Sequence, residues 1–270
     1  MLLICHPFVL NFNMEKEVLL KKRIQDLARH AYNRNIVTFT DFLDLNELHI
    51  LNNLNLRDAG VTYRISGGYK MSERQIAAFF PDALSDVIDN SAASWKFPIT
   101  CIEIIPLSRK FAEPLNHRDY LGALLNLGIE RSVLGDILIK EQSAYIFCLQ
   151  RMEPFILENC TRIRHTQVTA QKITQFDQVI KPEFEEITGT VASIRLDSVI
   201  GLAFKTSRSS MIRLIEGGKV FVNGKMITSN GYHLKPEDII SVRGHGKFQF
   251  CDVLSETKKG RRRVQVNRYI

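Results

Sequence analysis

The chain has 270 residues, enough for two or three domains, and its 45% apolar and 24% charged residues are ordinary for a globular protein. Its net charge of +7 is unevenly placed: residues 195–270 carry fifteen Lys and Arg against six Asp and Glu, residues 1–194 carry 21 against 23. That balance describes a polyanion-binding end on a near-neutral body.

In chain order, residues 1–13 are apolar but lack a basic leader and a small-residue cleavage site. They are too short to cross a bilayer, so no signal peptide or membrane anchor is expected, and Met14 is an alternative start. Residues 14–35 read as an amphipathic helix with Val18, Leu19, Ile24, Leu27, Ala28 and Ala31 on its apolar face. Asp44 and Glu47 have capping-box spacing before a helix to Leu54. Residues 61–65 read as a strand and Gly67-Gly68 as its turn; Ser72, with Gln75 three positions on, reads as the cap of a short helix ending at Pro81-Asp82.

The middle of the chain has a clear order. Strands are expected at 99–107, 134–140, 144–149 and 168–173, with helices at 117–127 and 153–159. Strand, helix, strand, strand, helix, strand is the order of ferredoxin-like and RNA-recognition folds. Tyr145 and Phe147 alternate onto one face, where they could stack bases. The equally apolar Ala144, Ile146 and Cys148 between them favour a core or interdomain role instead. A polar stretch with Pro182 and several acids is read as a linker over 175–188.

Beyond it, residues 196–204 predict a helix, Ser207 is a fit N-cap for a second helix over 208–216, and Gly217-Gly218 end it. Asn223-Gly224 between 219–222 and 225–227 signals a hairpin, and 235–238 a turn before a strand at 239–243. Lys258, Lys259, Arg261, Arg262, Arg263 and Arg268 alternate with Val264, Val266 and Tyr269 as a final cationic strand. Helix N-termini favour anions, and cations gather at the junction of the two helices. The candidate RNA-contacting residues are therefore Arg195, Lys205, Ser207, Arg208, Ser209, Arg213, Lys219, Asn223, Lys225, Arg243, Lys247, Lys258, Lys259 and Arg261.

This block resembles the S-four domain, the RNA-binding fold named after a ribosomal small-subunit protein. The resemblance rests on Arg195-Leu196-Asp197, Ser207-Arg208-Ser209, Leu214-Ile215, Gly218-Lys219-Val220, Val222-Asn223-Gly224 and Asp238-Ile239-Ile240. It implies that matching residues contact RNA phosphates. The longer chain is similar to the bacterial YlmH family. That similarity is carried by Phe42-Leu43-Asp44, Gly67-Gly68-Tyr69 with Glu73-Arg74, Gly128-Ile129-Glu130-Arg131 and Leu134-Gly135-Asp136-Ile137. It continues through Val191 to Asp197, Ser241 to Phe248 and Thr257 to Arg261. The resemblance implies an N-terminal domain, a central RNA-recognition-like domain and a C-terminal S-four domain. It also implies binding to the large ribosomal subunit carrying peptidyl-tRNA, in quality control of stalled translation. The family's genes lie among cell-division genes.

The expected fold is α+β and multi-domain: a mixed α/β domain at 14–85, a ferredoxin-like domain at 86–174, the linker, and the S-four domain at 189–270. The expected function is non-catalytic binding of ribosomal RNA and tRNA by a cytoplasmic monomer, with no small-molecule substrate and no membrane partner. Five scattered cysteines without a Cys-x-x-Cys pair, and seven dispersed histidines, suggest no disulfide framework, metal or cofactor. Two other classes compete. Arg195-Leu196-Asp197 echoes the motif around a pseudouridine synthase aspartate, although the Thr-Ser-Gly that follows it there is missing. A methyltransferase would need a Gly-rich turn after its first strand, where this chain has Ser108-Arg109-Lys110. A division-linked protein-interaction module is the remaining alternative.

Overall fold

The first helix, α1 (Pro7–Arg34), sets one wall of the N-terminal core by burying Ile24, Ala28 and Ala31 at helical spacing. Val18 and Leu19, expected on the same face, are instead exposed, because the partner elements reach only the C-terminal half of the helix. The computed structural model describes residues 7–56, 59–70, 72–84, 96–174, 184–258 and 260–269. It divides into two compact units, Met1–Ile180 and Lys181–Ile270.

In the first unit, a three-stranded antiparallel sheet of order β1-β3-β2 packs on α1. It comprises β1 (Thr38–Phe39), β2 (Val61–Ser66) and β3 (Ile76–Pro81). Between them α2 (Leu45–Asn52) carries the expected capping box: Asp44 accepts from the N–H groups of Asn46 and Glu47, and Glu47 accepts from the Asp44 N–H at 2.7 Å. The short helix expected after Ser72 is not formed. Ile76-Ala77-Ala78-Phe79-Phe80-Pro81 is the central strand, buried at every position. Ala77 and Phe79 face the α1 core, while Ala78 and Phe80 pack with Val37, Phe39, Leu84 and Phe97. A strand covered on both faces has no period-two pattern, so its sequence reads equally well as helix.

The second sheet has order β5-β6-β4-β8-β7 and is antiparallel throughout. Its strands are β4 (Ile99–Pro106), β5 (Leu134–Lys140), β6 (Ser143–Leu149), β7 (Arg162–Ile163) and β8 (Thr166–Ile173). With α3 (His117–Asn126) and α4 (Glu153–Asn159), the order is the one read from the sequence, with β7 as an added short strand. Tyr120 and Leu124 of α3 and Ile156 of α4 share a core with Ile102, Ile104 and Ile146. Phe42 and Ile76 from the N-terminal part belong to that same core, so the two domains expected at 14–85 and 86–174 pack within one unit.

The second unit is a six-stranded antiparallel sheet of order β11-β10-β12-β13-β14-β9, covered on one face by α5 (Leu196–Ala203) and α6 (Arg208–Glu216). The strands are β9 (Phe184–Val191), β10 (Val220–Val222), β11 (Lys225–Met226), β12 (Ile239–Val242), β13 (Gly246–Glu256) and β14 (Arg262–Tyr269). Leu196, Val199, Ile200 and Ala203 of α5, with Met211 and Ile215 of α6, pack on Val220, Val222, Ile240, Phe248, Phe250, Val264 and Val266. Of the linker expected at 175–188, residues 175–183 lie outside the described residues. Residues 184–188 are strand: β9 pairs with β14 along its full length, from Phe184↔Tyr269 to Val191↔Arg262, and buries Ile187. Glu185 and Glu186, two of the acids that suggest a linker, immediately precede the buried Ile187 on this edge strand. The long β13 had no sequence signal because register shifts between Phe250 and Asp252 and between Val253 and Ser255 break its alternation.

Candidate nucleic-acid interface

The cations of the second unit fall into two sets, separated by whether an acid already holds them. Asp197 opens α5 and is only 1% exposed. Arg208 donates to its Oδ2 at 2.6 Å, and Arg195 donates to Oδ1 and Oδ2 at 3.3 and 3.4 Å. Burial pushes the Asp197 carboxyl up, but the hydrogen bond and charge of Arg208, joined by Arg195, outweigh it and hold the group below its ordinary range. These two arginines therefore build the helix junction. Lys205, in the left-handed region at φ 51°, donates to Glu185 at 3.1 Å, and Arg268 also pairs with Glu185. The hydrogen bond from Lys205 leads in holding the Glu185 carboxyl low. Glu185 lies in the stretch expected as linker, and nothing local in the sequence marks its pairing with Lys205 and Arg268.

The serines behave as caps. Ser207 accepts from the Ser210 N–H at 3.3 Å, and its hydroxyl is linked to those of Ser209 and Ser210. Asn223 is likewise occupied: at φ 49° it turns the hairpin, donates to Asp238 at 2.8 Å and accepts from the Ile239 N–H at 2.9 Å. Its side-chain amide locks β10 to β12 rather than facing a ligand.

Arg213, Lys219, Lys225 and Lys258 are exposed and make no ion pair among the described residues. Arg213 sits in the last turn of α6, and the chain runs from there through Gly217 and Gly218 into Lys219. The Lys219 carbonyl accepts from the Arg243 N–H at 2.9 Å, which brings those two residues side by side just before β10 and just after β12. Val220 and Val222 face the helices, so Phe221 faces the other side of the sheet. There the Arg243 guanidinium lies 5.2 Å from the Phe221 ring centroid. Lys247 enters β13 opposite Ser241. Lys225 is opposite Val222 on the hairpin's return strand. Arg261 is exposed but donates to the Thr190 carbonyl at 3.2 Å, and Lys259 lies outside the described residues. The presented cations thus trace the end of α6, the β10–β11 hairpin and the β12–β13 turn.

The first unit uses its motif residues differently. Asp136 accepts from the Tyr69 hydroxyl at 2.7 Å and from the N–H groups of Glu73 and Arg74 at 2.7 and 3.1 Å. The Arg74 guanidinium is spent on the carbonyls of Leu134, Phe42 and Arg131, and Arg131 donates to the carbonyls of Leu134 and Gly135. Burial first, then the neighbouring Arg74 charge, bring Arg131 down to about 10. Burial and the adjacent Asp136 push the Tyr69 hydroxyl up, so it stays a donor. This hub fastens the Tyr69–Arg74 loop onto the central sheet.

The same loop closes the sheet face on which bases could have stacked. Tyr69 stacks on Phe147 with ring centroids 4.9 Å apart, and Phe147 is fully buried. Gly68, at φ 97°, allows the approach: a Cβ there would lie 2.7 Å from the Phe147 ring. Tyr145 is buried as well and donates to Glu103 at 2.9 Å, while Gln171 donates to the other Glu103 oxygen at 2.8 Å. Both aromatics thus have the core and interdomain role that their apolar neighbours suggested. Among the described residues no group of three His, Cys, Asp or Glu could hold a metal ion, and no helix is long and apolar enough to cross a membrane.

Residues 92–177 match a family profile described as an RNA-binding domain in YlmH, and residues 194–240 match the S4, or S-four, domain. The ribosome-associated protein quality control protein P2 of Bacillus subtilis (strain 168) is 30% identical over 230 residues, 85% of this chain and 86% of that protein. Among solved structures, the cell division protein ylmH from Streptococcus pneumoniae is similar at TM-score 0.46 and 23% identity, over 62% of this chain and 92% of that one. With one domain of that family matched across the central sheet, an S-four domain after it, and a relative of that identity over most of its length, the chain belongs to the YlmH family.

Proposed function

We propose that this chain is a non-catalytic RNA-binding factor that holds structured ribosomal RNA and tRNA, on the large ribosomal subunit carrying peptidyl-tRNA, in quality control of stalled translation. The observation that carries the reading is the set of cations Arg213, Lys219 and Lys225, which make no ion pair among the described residues, together with Arg243, on a domain where Asp197 already holds Arg195 and Arg208 and Glu185 holds Lys205 and Arg268. Cations left exposed beside a rigid sheet neutralise phosphates without reading bases, which suits a folded RNA recognised by its shape. The name of the Bacillus subtilis relative supports the ribosomal and quality-control part. The pseudouridine synthase alternative is disfavoured by Asp197 itself. Its carboxylate is buried and held by two arginines, so it serves the helix junction and is not presented to a nucleotide.

The test is binding of the full chain to a ribosomal RNA hairpin and to purified large subunits across a salt series. Arg213→Ala with Lys219→Ala and Lys225→Ala should weaken binding and flatten the slope of log affinity against log salt by roughly 0.7 to 0.9 for each phosphate no longer neutralised. Lys21→Ala, on α1 where Lys21 pairs with Glu17, is the control and should leave the slope unchanged. Wild-type affinity and slope in the triple variant would place the binding surface elsewhere.

A further inference from the structure

The central sheet's stacking face is sealed, yet the turn that leaves β4 carries a different aromatic into solvent. Leu107-Ser108-Arg109-Lys110-Phe111 contains a single 3-10 turn, Arg109–Phe111, at the end of the sheet. Phe111 is 81% exposed and Leu107 63%. Singly exposed apolar residues are ordinary on a protein surface. Here two large ones flank Arg109 and Lys110, and the Lys110 ammonium lies 5.7 Å from the Phe111 ring centroid. The turn is held at its base. The Leu107 N–H donates to the Gln167 carbonyl at 3.0 Å, and the Glu113 N–H donates to Thr166 Oγ1 at 3.3 Å. Of the acids nearby, Glu141 lies 4.0 Å from Arg109, a long contact between two exposed side chains that a phosphate can displace, and Glu113 accepts from the His165 N–H and pairs with Arg164 at 3.8 Å. Asp119 pairs with Arg164 at 3.4 Å.

We infer that this turn is a contact for single-stranded RNA, in which a base stacks on Phe111 while Arg109 and Lys110 hold the flanking phosphates. An aromatic ring accepts any base face, and cations on both sides of a backbone supply the electrostatic half of such sites. A duplex would not use it, because its bases are already stacked and only an unpaired nucleotide can cover the ring. A protein partner would be expected to bury Leu107 and Phe111 in an apolar pocket, and the two intervening cations disfavour that. The assignment rests on the RNA-binding reading and deepens it by giving the central domain its own ligand, an unpaired RNA segment.

The test uses the full chain, a fluorescent ten-nucleotide oligouridylate and, separately, the ribosomal hairpin. Phe111→Ala should weaken oligouridylate binding about 5- to 150-fold, the range set by one stacked base. Phe111→Trp should keep the affinity, and Phe111→Leu, which retains apolar area without a ring face, should lose it. Arg109→Ala with Lys110→Ala should flatten the oligouridylate salt slope by roughly 0.7 for each phosphate released. Photocrosslinking should place the uridine on the peptide containing Phe111. Because Phe111 has little buried surface, the variants should unfold at the wild-type temperature. The Arg213, Lys219 and Lys225 triple variant separates the two readings: it should lose hairpin binding while its oligouridylate affinity still depends on Phe111. Oligouridylate binding unchanged in Phe111→Ala, equal in Phe111→Leu, or crosslinked elsewhere would overturn the assignment. So would a Phe111→Ala variant that loses large-subunit binding but keeps oligouridylate, since that turn would then meet protein. Hairpin binding that survives the triple variant would sink only the reading of the second unit.

Discussion

The two units treat arginine in opposite ways. In the first, Arg74 and Arg131 come from motif blocks that looked like binding signatures, yet both are half-buried and donate to backbone carbonyls around Asp136. In the second, Arg195 and Arg208 are likewise tied to a buried acid, while Arg213 and Lys219 further along the chain are not. What separates a building cation from a binding one is the fate of its donors. A guanidinium with its N–H groups spent on carbonyls or a carboxylate is expensive to free, and an RNA phosphate would have to offset that cost.

The largest effect that could break this comparison is at the hub. Asp136→Ala removes three hydrogen bonds and one of the carboxylates near Arg74 and Arg131, with Asp44 and Glu47 remaining, which should destabilise the first unit by about 3 kcal/mol. Denaturant unfolding measures it. The hairpin RNA affinity should be unaffected while the chain stays folded. A loss of RNA binding with unchanged stability would show that the hub faces RNA after all.

The next effect is at the helix junction. Arg208→Ala leaves Asp197 buried with Arg195 as its remaining partner. Since Arg208 is itself about half exposed, the cost should be about 1–3 kcal/mol rather than that of a fully buried pair. Its pH dependence carries a sign. The Asp197 carboxyl is depressed in the folded state, so the stability it lends is present above the ordinary carboxylate range and is lost as pH falls through that range and below it. The gap between wild type and Arg208→Ala should therefore shrink on moving from pH 7 to pH 3. A gap that stayed constant would mean the loss comes from packing, for example from the Arg208 stem that lies near Gly201. Arg208 has an exposed side chain and sits off the buried face of α6, so the sequence presents it as removable without harm to the fold, but its carboxylate partner lies eleven residues away on another helix.

Much of the fold was legible where one face of an element is wet. The capping box at Asp44, the helix pair around Ser207 and the Asn223-Gly224 hairpin each follow from local spacing. The misreadings share one cause: the local pattern is overwritten by distant partners. The Ile76–Pro81 strand is covered on both faces, β13 has two register shifts, and β9 is an edge strand whose Glu185 pairs with Lys205 and Arg268. The candidate site was half legible. Composition marked where cations accumulate, but which of them are neutralised depends on Asp197 and Glu185, whose positions are set by tertiary pairing. Phe111 gave a weak signal, an aromatic directly after two cations, which gains meaning only once the sheet face beside Phe147 is known to be closed.

The smallest effect sharpens that last point. Tyr145 lies on the sheet face that single strands occupy in RNA-recognition folds, so a stacking role would make Tyr145→Phe nearly silent and Tyr145→Ala costly for RNA. The structure favours a different outcome. The Tyr145 ring is 6% exposed, and its hydroxyl donates to Glu103, which also accepts from Gln171. Burial, followed by the Glu103 hydrogen bond, pushes the hydroxyl up to about 12, so it remains a donor through the neutral range. Tyr145→Phe deletes that one donor and leaves Glu103 with Gln171 as its remaining partner, a loss of about 1 kcal/mol of stability. Oligouridylate and hairpin affinities should both match wild type, in contrast to Phe111→Ala at the end of the same sheet. If Tyr145→Phe instead changed RNA affinity at constant stability, the Tyr145–Glu103–Gln171 row would be opening to nucleotides, and the sheet face would have to be counted as a binding surface.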